Sequence, residues 1–365
     1  MSLLVTVGAA MLIRKVALVL ALLLGGCAQQ AAVPLRPAKQ DDVIFTRYSP
    51  LSRTEEIARR TLTPLTFSRG QQALAAKGEA LQEQSIDLSK EKFAVYVPSG
   101  PAPKNGYGLL VFIPPWSELT RPNRWRPTLD RHALIFVAAE NSGNDATILD
   151  RRLPLTLLAY ENVHAQYPID VARVYVGGLS GGSKAALVTA LAYPDVFRGA
   201  LLNAGSEPIG GEEGIYLPTA DLFRKFQQSK LVYISGESDE VGQREDTVSR
   251  ASMRKWCVFN IEVKRARGLA HEVLDEASLD SALDALERPS VVDPDKLAEC
   301  NERLQAELSS KLAEVGDLIA TGNLDGARGL LKLIDGRYAG LADKAILDLD
   351  AKLSALEQRS GTAGR

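Results

Sequence analysis

Residues 174–197 read VYVGGLSGGSKAALVTALAYPDVF. Val174-Tyr175-Val176 is an apolar run of the kind a strand buried on both faces carries, and the run from Lys184 onward has helical length. Between them, glycines flank a single serine: Gly178-Leu179-Ser180-Gly181-Gly182 fits G-x-S-x-G. At average Gly and Ser usage the bare pattern arises by chance in about one chain in eight of this length. Context decides. A strand running in and a helix running out is the setting of a nucleophile elbow, where a strained turn holds the serine hydroxyl clear of the sheet. Gly178 and Gly182 would let backbone segments approach closely. The helix N-terminus behind the serine favours negative charge, and the Gly181 N–H could donate to a developing oxyanion.

Apolar runs of strand length recur on both sides of this stretch. YGLLVFIPP (107–115), ALIFVAA (133–139), RVYVGG (173–178), GALLNAG (199–205) and KLVYISG (230–236) suit a parallel sheet covered on both faces. EKFAVYVPSG (91–100) alternates Phe93, Val95 and Val97 against Ala94 and Tyr96, which reads as a half-buried strand. Helical stretches such as PLTLLAYENVHAQYP (154–168) lie between, FNIEVKRARG (259–268) reads as a last strand, and EASLDSALDALE (276–287) as a last helix. The predicted class is α/β: a mostly parallel sheet with helices on both faces and right-handed crossovers. Upstream, Ser52 and Glu55 have capping-box spacing and predict a short helix.

From Asp293 the character changes. Asp293-Pro294 reads as N-cap and first helical residue. Apolar residues at 297, 300, 304, 308, 312, 315 and 319 then share one helical face. Further helices follow, with breaks predicted at Gly322 and Gly336. The apolar face of this C-terminal extension is expected to pack on the α/β domain; the other reading is that it docks an envelope protein partner.

The long apolar run lies at the other end, in MLIRKVALVLALLLGGCAQQ (11–30). Arg14 and Lys15 supply a positive region, and Val16 to Leu24 is too short to span a bilayer. Leu24-Gly25-Gly26-Cys27 resembles the lipobox of bacterial lipoproteins. The resemblance implies cleavage before Cys27, diacylglycerol on its thiol and acylation of the new amino terminus, a stable membrane anchor. Ala28, rather than Asp, then implies outer-membrane sorting, facing the periplasm, in a two-membrane host. The expected organisation is a signal peptide over 1–26, a lipidated tether over 27–45, an α/β domain over 46–290 and the helical extension over 291–365.

The 365 residues carry 43 Lys and Arg against 45 Asp and Glu, a net charge of -2 with no basic stripe, which argues against a nucleic-acid partner. With only three widely separated histidines, no metal-ligand cluster is expected. Cys257 and Cys300 could bridge in an oxidising compartment; two buried free thiols are the other reading.

YPIDVARVYVGGLSGGSKAALVTALAYPDVFRGALLNAGS (167–206) resembles the alkaline-serine-esterase branch of the α/β-hydrolase superfamily, which includes feruloyl-esterase-like and polyhydroxybutyrate-depolymerase-like proteins. The resemblance covers roughly residues 91–287. It implies a triad in the order Ser, Asp, His, with no cofactor. Ser180 is the implied nucleophile. His271, in RARGLAHEVLD (265–275), is the one histidine after it; His132 and His164 read as structural. The loop SGESDEV (235–241) offers Glu237, Asp239 and Glu240, and the G-x-x-D of the family at this loop points to Asp239. Gly181 and Trp116 would supply the oxyanion N–H groups. Here the chain departs from the family: Pro114-Pro115 stands where His-Gly is usual, and prolines have no N–H to give. Arg124 and Trp125, in RPNRWRP (121–127), are candidate substrate contacts near the rim; a solvated loop with ordinary ion pairs is the blander reading. SEPIGGEEGIYLP (206–218) could cap the site. The implied activity is hydrolysis of a small-molecule or polymeric carboxylic ester through an acyl-serine. A serine peptidase of the same fold, and a catalytically weak envelope-binding lipoprotein, are the alternatives.

Overall fold

The computed structural model describes residues 39–120, 123–211, 213–289 and 292–363; the expected signal peptide and Cys27 lie outside the described residues. Eight strands form one sheet: β1 (Lys39–Ile44), β2 (Lys92–Tyr96), β3 (Tyr107–Ile113), β4 (Leu134–Ala139), β5 (Ile169–Leu179), β6 (Gly199–Asn203), β7 (Lys230–Gly236) and β8 (Ile261–Ala266). Their spatial order is β1-β2-β4-β3-β5-β6-β7-β8. β1 pairs with β2, and β2 with β4, in antiparallel fashion; every other pairing is parallel. Strand order and the helical crossovers are those of the α/β-hydrolase fold, with an added C-terminal helical extension.

The continuous apolar runs follow from burial on both faces. β3 sends Leu109, Val111 and Ile113 into one apolar cluster and Leu110 and Phe112 into the other. The first cluster takes α4 (Leu153–Gln166) and α5 (Gly181–Ala192); the second takes Leu279, Ala282, Leu283 and Leu286 of α8 (Glu276–Glu287). β2 was expected to be half-buried, but Tyr96 joins the second cluster while Phe93, Val95 and Val97 fill the first, so both its faces are covered.

Three other expectations need correction. Part of the predicted tether is β1, whose polar sequence KQDDVI pairs along one edge with a register irregularity between Gln40 and Val43. Near Ser52 there is a short helix, α1 (Thr54–Thr61), but no capping box: Ser52 Oγ donates back to Ser49 O, and the Thr54 N–H is taken by Glu83 Oε2 at 3.0 Å. The break predicted at Gly336 falls instead at Ala339, which takes φ 43°; Gly336 lies inside α10 (Leu324–Tyr338).

Between these elements run α2 (Pro64–Ala76), α3 (Arg126–Arg131), α6 (Ala220–Phe226) and α7 (Glu240–Lys255). The extension comprises α9 (Pro294–Ala320), α10 and α11 (Asp343–Ala363). Asp293 caps α9, accepting from the N–H groups of Asp295 and Lys296. Leu308, Val315, Ile319, Leu331 and Ile346 are buried in the same cluster as the sheet residues, so the apolar stripe is used within the chain. Cys257, just after α7, is bonded to Cys300 in α9, with 5.8 Å between Cα atoms. Gln227 Nε2 donates to Asn301 Oδ1 at 2.7 Å, and Trp256 meets Tyr338 edge-on.

Candidate active site

β5 delivers Ser180 at its carboxyl end, and α5 starts at the next residue. Ser180 takes φ 56°, ψ -123°, a conformation that costs a non-glycine residue about 1–3 kcal/mol. The turn is as tight as the glycine pattern requires. A Cβ on Gly178 would lie 2.2 Å from Gly182 O, and one on Gly182 would lie 2.0 Å from Ile113 O. Both contacts are with backbone, so neither position can accept a side chain without moving β3 or the start of α5. The Ser180 N–H donates to Asn203 O at 2.8 Å, which ties the elbow to the end of β6. The Gly181 N–H is one of the amino-terminal donors that a helix cannot pair internally.

Because β5 to β8 run parallel, the loops that follow them open at one edge of the sheet. Asp239 follows β7 and His271 follows β8. The two loops are in backbone contact: Ser238 N–H donates to Leu269 O, and a Cβ on Gly236 would lie 2.1 Å from Ala270 O. Asp239 is 4% exposed. One carboxylate oxygen accepts from the Gly242 N–H at 3.0 Å, capping α7; the other accepts from His271 Nδ1 at 2.9 Å. A proton on Nδ1 leaves Nε2 with a free lone pair, the tautomer a general base needs. The His271 side chain is 46% exposed. Of the three acids in this loop, Asp239 is the one that meets His271; Glu237 instead accepts from the Gly268 N–H.

Two turns further along α7, Asp246 is buried, accepts from Ser235 Oγ and has its second carboxylate oxygen unpartnered. Burial pushes it up to about 6. Spacing gave no sign of this group.

The other histidines are elsewhere. His132 is held between Glu287 Oε2 (2.8 Å) and Asp280 Oδ1 (2.9 Å) of α8, and the Glu287 hydrogen bond leads in raising its pKa. His164 stacks on Tyr160.

Trp116 is half-buried on the margin of the second apolar cluster, with its indole N–H donating to Thr120 Oγ1. Leu269 and Val273, on either side of His271, border the same cluster. Trp125 is not a ligand contact. It is 2% exposed, packs edge-on against Phe112 and Phe136, and donates its indole N–H to Leu274 O at 2.7 Å. Arg124 remains exposed and donates to Val273 O. Both residues therefore fasten the segment after His271. The stretch 206–218, considered as a cap, is pinned to the extension: Gly211 N–H donates to Arg337 O, and Gly340 N–H donates to Leu217 O.

A residue that no motif singled out completes the picture. The loop after β4 lies across the loop after β3: the Asn144 N–H donates to Pro115 O at 3.0 Å, and a Cβ on Gly143 would lie 2.5 Å from the Trp116 carbonyl carbon. Arg152, buried, donates to Ser142 O and Pro114 O and holds the two loops together. The Asn144 carboxamide reaches Gly181.

No family model and no curated protein matches the sequence. Among solved structures, the chain is similar to a thermostable esterase (16% identity, TM-score 0.39, 58% of this chain and 59% of that one). It is also similar to an S-formylglutathione hydrolase from Staphylococcus aureus (17%, TM-score 0.40, 53% and 87%). A third is a thermophilic esterase from Thermogutta terrifontis (16%, TM-score 0.40, 55% and 87%).

Proposed function

We propose that the chain is a serine hydrolase that cleaves carboxylic esters through an acyl-Ser180 intermediate. The observation that carries the reading is the His271 Nδ1 to Asp239 Oδ2 hydrogen bond, at the strand edge where Ser180 sits on its strained turn. In this mechanism His271 Nε2 takes the Ser180 proton as Oγ adds to the ester carbonyl carbon. The carbonyl π pair moves to oxygen, where the Gly181 and Trp116 N–H groups receive it. The imidazolium, held by Asp239, then protonates the leaving alcohol, and water activated by the same imidazole releases the acid.

Export and lipid anchoring at Cys27, in the outer membrane facing the periplasm, belong to the same proposal. The Cys257–Cys300 bridge supports an oxidising compartment. The Pro114-Pro115 departure favours the second reading, a catalytically weak envelope-binding protein.

The full-length protein in detergent micelles should hydrolyse short-chain p-nitrophenyl esters and be labelled by a fluorophosphonate, and Ser180→Ala should lose both. Full turnover in Ser180→Ala would overturn the nucleophile; neither turnover nor labelling in the wild type would favour the binding reading. Cys27→Ser should abolish lipid labelling, and unchanged labelling would overturn the anchor.

A further inference from the structure

We propose that the Asn144 side-chain amide is a third oxyanion donor, standing in for a backbone N–H that Pro114-Pro115 cannot supply. The inference rests on the Ser180 reading and deepens it. Asn144 links the loop after β3 to the start of α5. Its own N–H is fixed on Pro115 O, within the proline pair that departs from the expected donors. Its neighbour Gly143 rests on the Trp116–Ser117 peptide, with a Cβ there 2.5 Å from the Trp116 carbonyl carbon and 2.7 Å from Ser117 N. Its carboxamide occupies the place a side chain at residue 181 would take: a Cβ on Gly181 would lie 2.1 Å from Asn144 Oδ1 and 3.1 Å from Nδ2. Gly181 lies outside the left-handed region, so its lack of a side chain is explained by this contact rather than by the turn.

The chemistry follows from the departure at 114 and 115. As Ser180 Oγ bonds to the carbonyl carbon and its proton passes to His271 Nε2, a full negative charge develops on the former carbonyl oxygen beside Gly181. An amide is neutral, carries two N–H donors and reaches this oxygen from the side the prolines leave without donors. Its terminal torsion is broad, so a half-turn exchanges Oδ1 for Nδ2 as the charge appears. Asn144 is exposed, and its backbone is held by the Pro115 bond and the Arg152 clamp, so the amide can turn while its root stays in place.

The test is a cycle of Asn144→Ala, Gly181→Ala and the double variant, with Asn144→Asp and Ser180→Ala alongside, in the full-length protein. Asn144→Ala should lower kcat for p-nitrophenyl acetate by about a hundred- to thousand-fold, the scale of one oxyanion donor, with KM little changed. Asn144→Asp, which puts a carboxylate against the oxyanion, should lose more. Affinity for a trifluoromethyl ketone, whose adduct with Ser180 carries the oxyanion, should fall in parallel. Gly181→Ala keeps its N–H but drives the amide away, so it should lose about as much as Asn144→Ala, and the double variant should lose no more than either alone. An Asn144→Ala enzyme within threefold of wild type, with Ser180→Ala inactive, overturns the donor and leaves the serine mechanism standing. So does a double variant whose losses multiply. A wild type that neither turns over nor is labelled overturns both.

Discussion

Removing one half of the disulfide is the sharpest test of how the extension stabilises the sheet. The bridge joins residues 43 apart and encloses β8, the His271 loop and α8. Closing a loop of that size removes unfolded-state entropy equivalent to about 4 kcal/mol near room temperature. Cys300→Ser is the cleaner perturbation, because Cys257 is fully buried and behaves as a small hydrophobe once unpaired, whereas Cys300 is only partly buried. In urea, with a slope of about 3 kcal/mol/M, the midpoint should fall by about 1.3 M. Amide exchange should show where the loss begins. The first turns of α9 keep the Gln227–Asn301 pair and the Lys296–Phe259 contact, but its buried residues start only at Leu308, so 294–307 should lose protection before β5 to β7 do. A shift under about 0.3 M, or two free thiols in the unreduced wild type, would refute the reasoning.

Asp239→Asn should lower kcat by about ten-thousand-fold, the scale seen when a triad aspartate becomes an amide. Melting temperature should hardly move, since asparagine also caps helices well and can keep the Gly242 bond; a large melting shift would assign the carboxylate to stability instead. Trp125→Ala should cost about 3–5 kcal/mol in denaturant unfolding through lost core packing; a changed KM with unchanged stability would restore it as a substrate contact. Asp246 has a folded-state pKa raised to about 6 by burial, above its unfolded value of 3.8, so the fold should lose stability as pH rises from about 4 to about 6 and keep that penalty above. Asp246→Asn should therefore flatten this part of the melting profile and raise stability at pH 7 by up to about 3 kcal/mol, with no gain at pH 3.5.

Much of the sheet was legible because a strand covered on both faces has to be apolar at every position. β3, β4, β6 and β7 fall inside the runs that announce them. β1 was not legible: it pairs on one side only, so KQDDVI carries no apolar signature and reads as linker. The elbow was legible because its steric demands are local, and the pairing of Asp239 with His271 because a parallel sheet opens successive loops at one edge. Trp125 was misread for a related reason. Flanking arginines suggest a rim, whereas the indole is placed among Phe112 and Phe136 and bonded to the Leu274 carbonyl, 149 residues away. The same holds for Asn144, whose stretch NSGNDA looks like any polar loop until its contact with Gly181 is known. The α10 break at Ala339 escaped because a non-glycine residue was held in a conformation that glycine usually marks.

The start of β1 at Lys39 sets the length of a leash. If lipid holds Cys27, the eleven residues 28–38 lie between it and the sheet, and even fully drawn out they reach only about 40 Å. The chain enters at one border of the sheet, and β8, which carries the His271 loop, is at the opposite border, seven strand spacings or roughly 34 Å away. If the proposed anchor and the proposed ester hydrolysis both hold, turnover would be confined to a thin layer over the membrane.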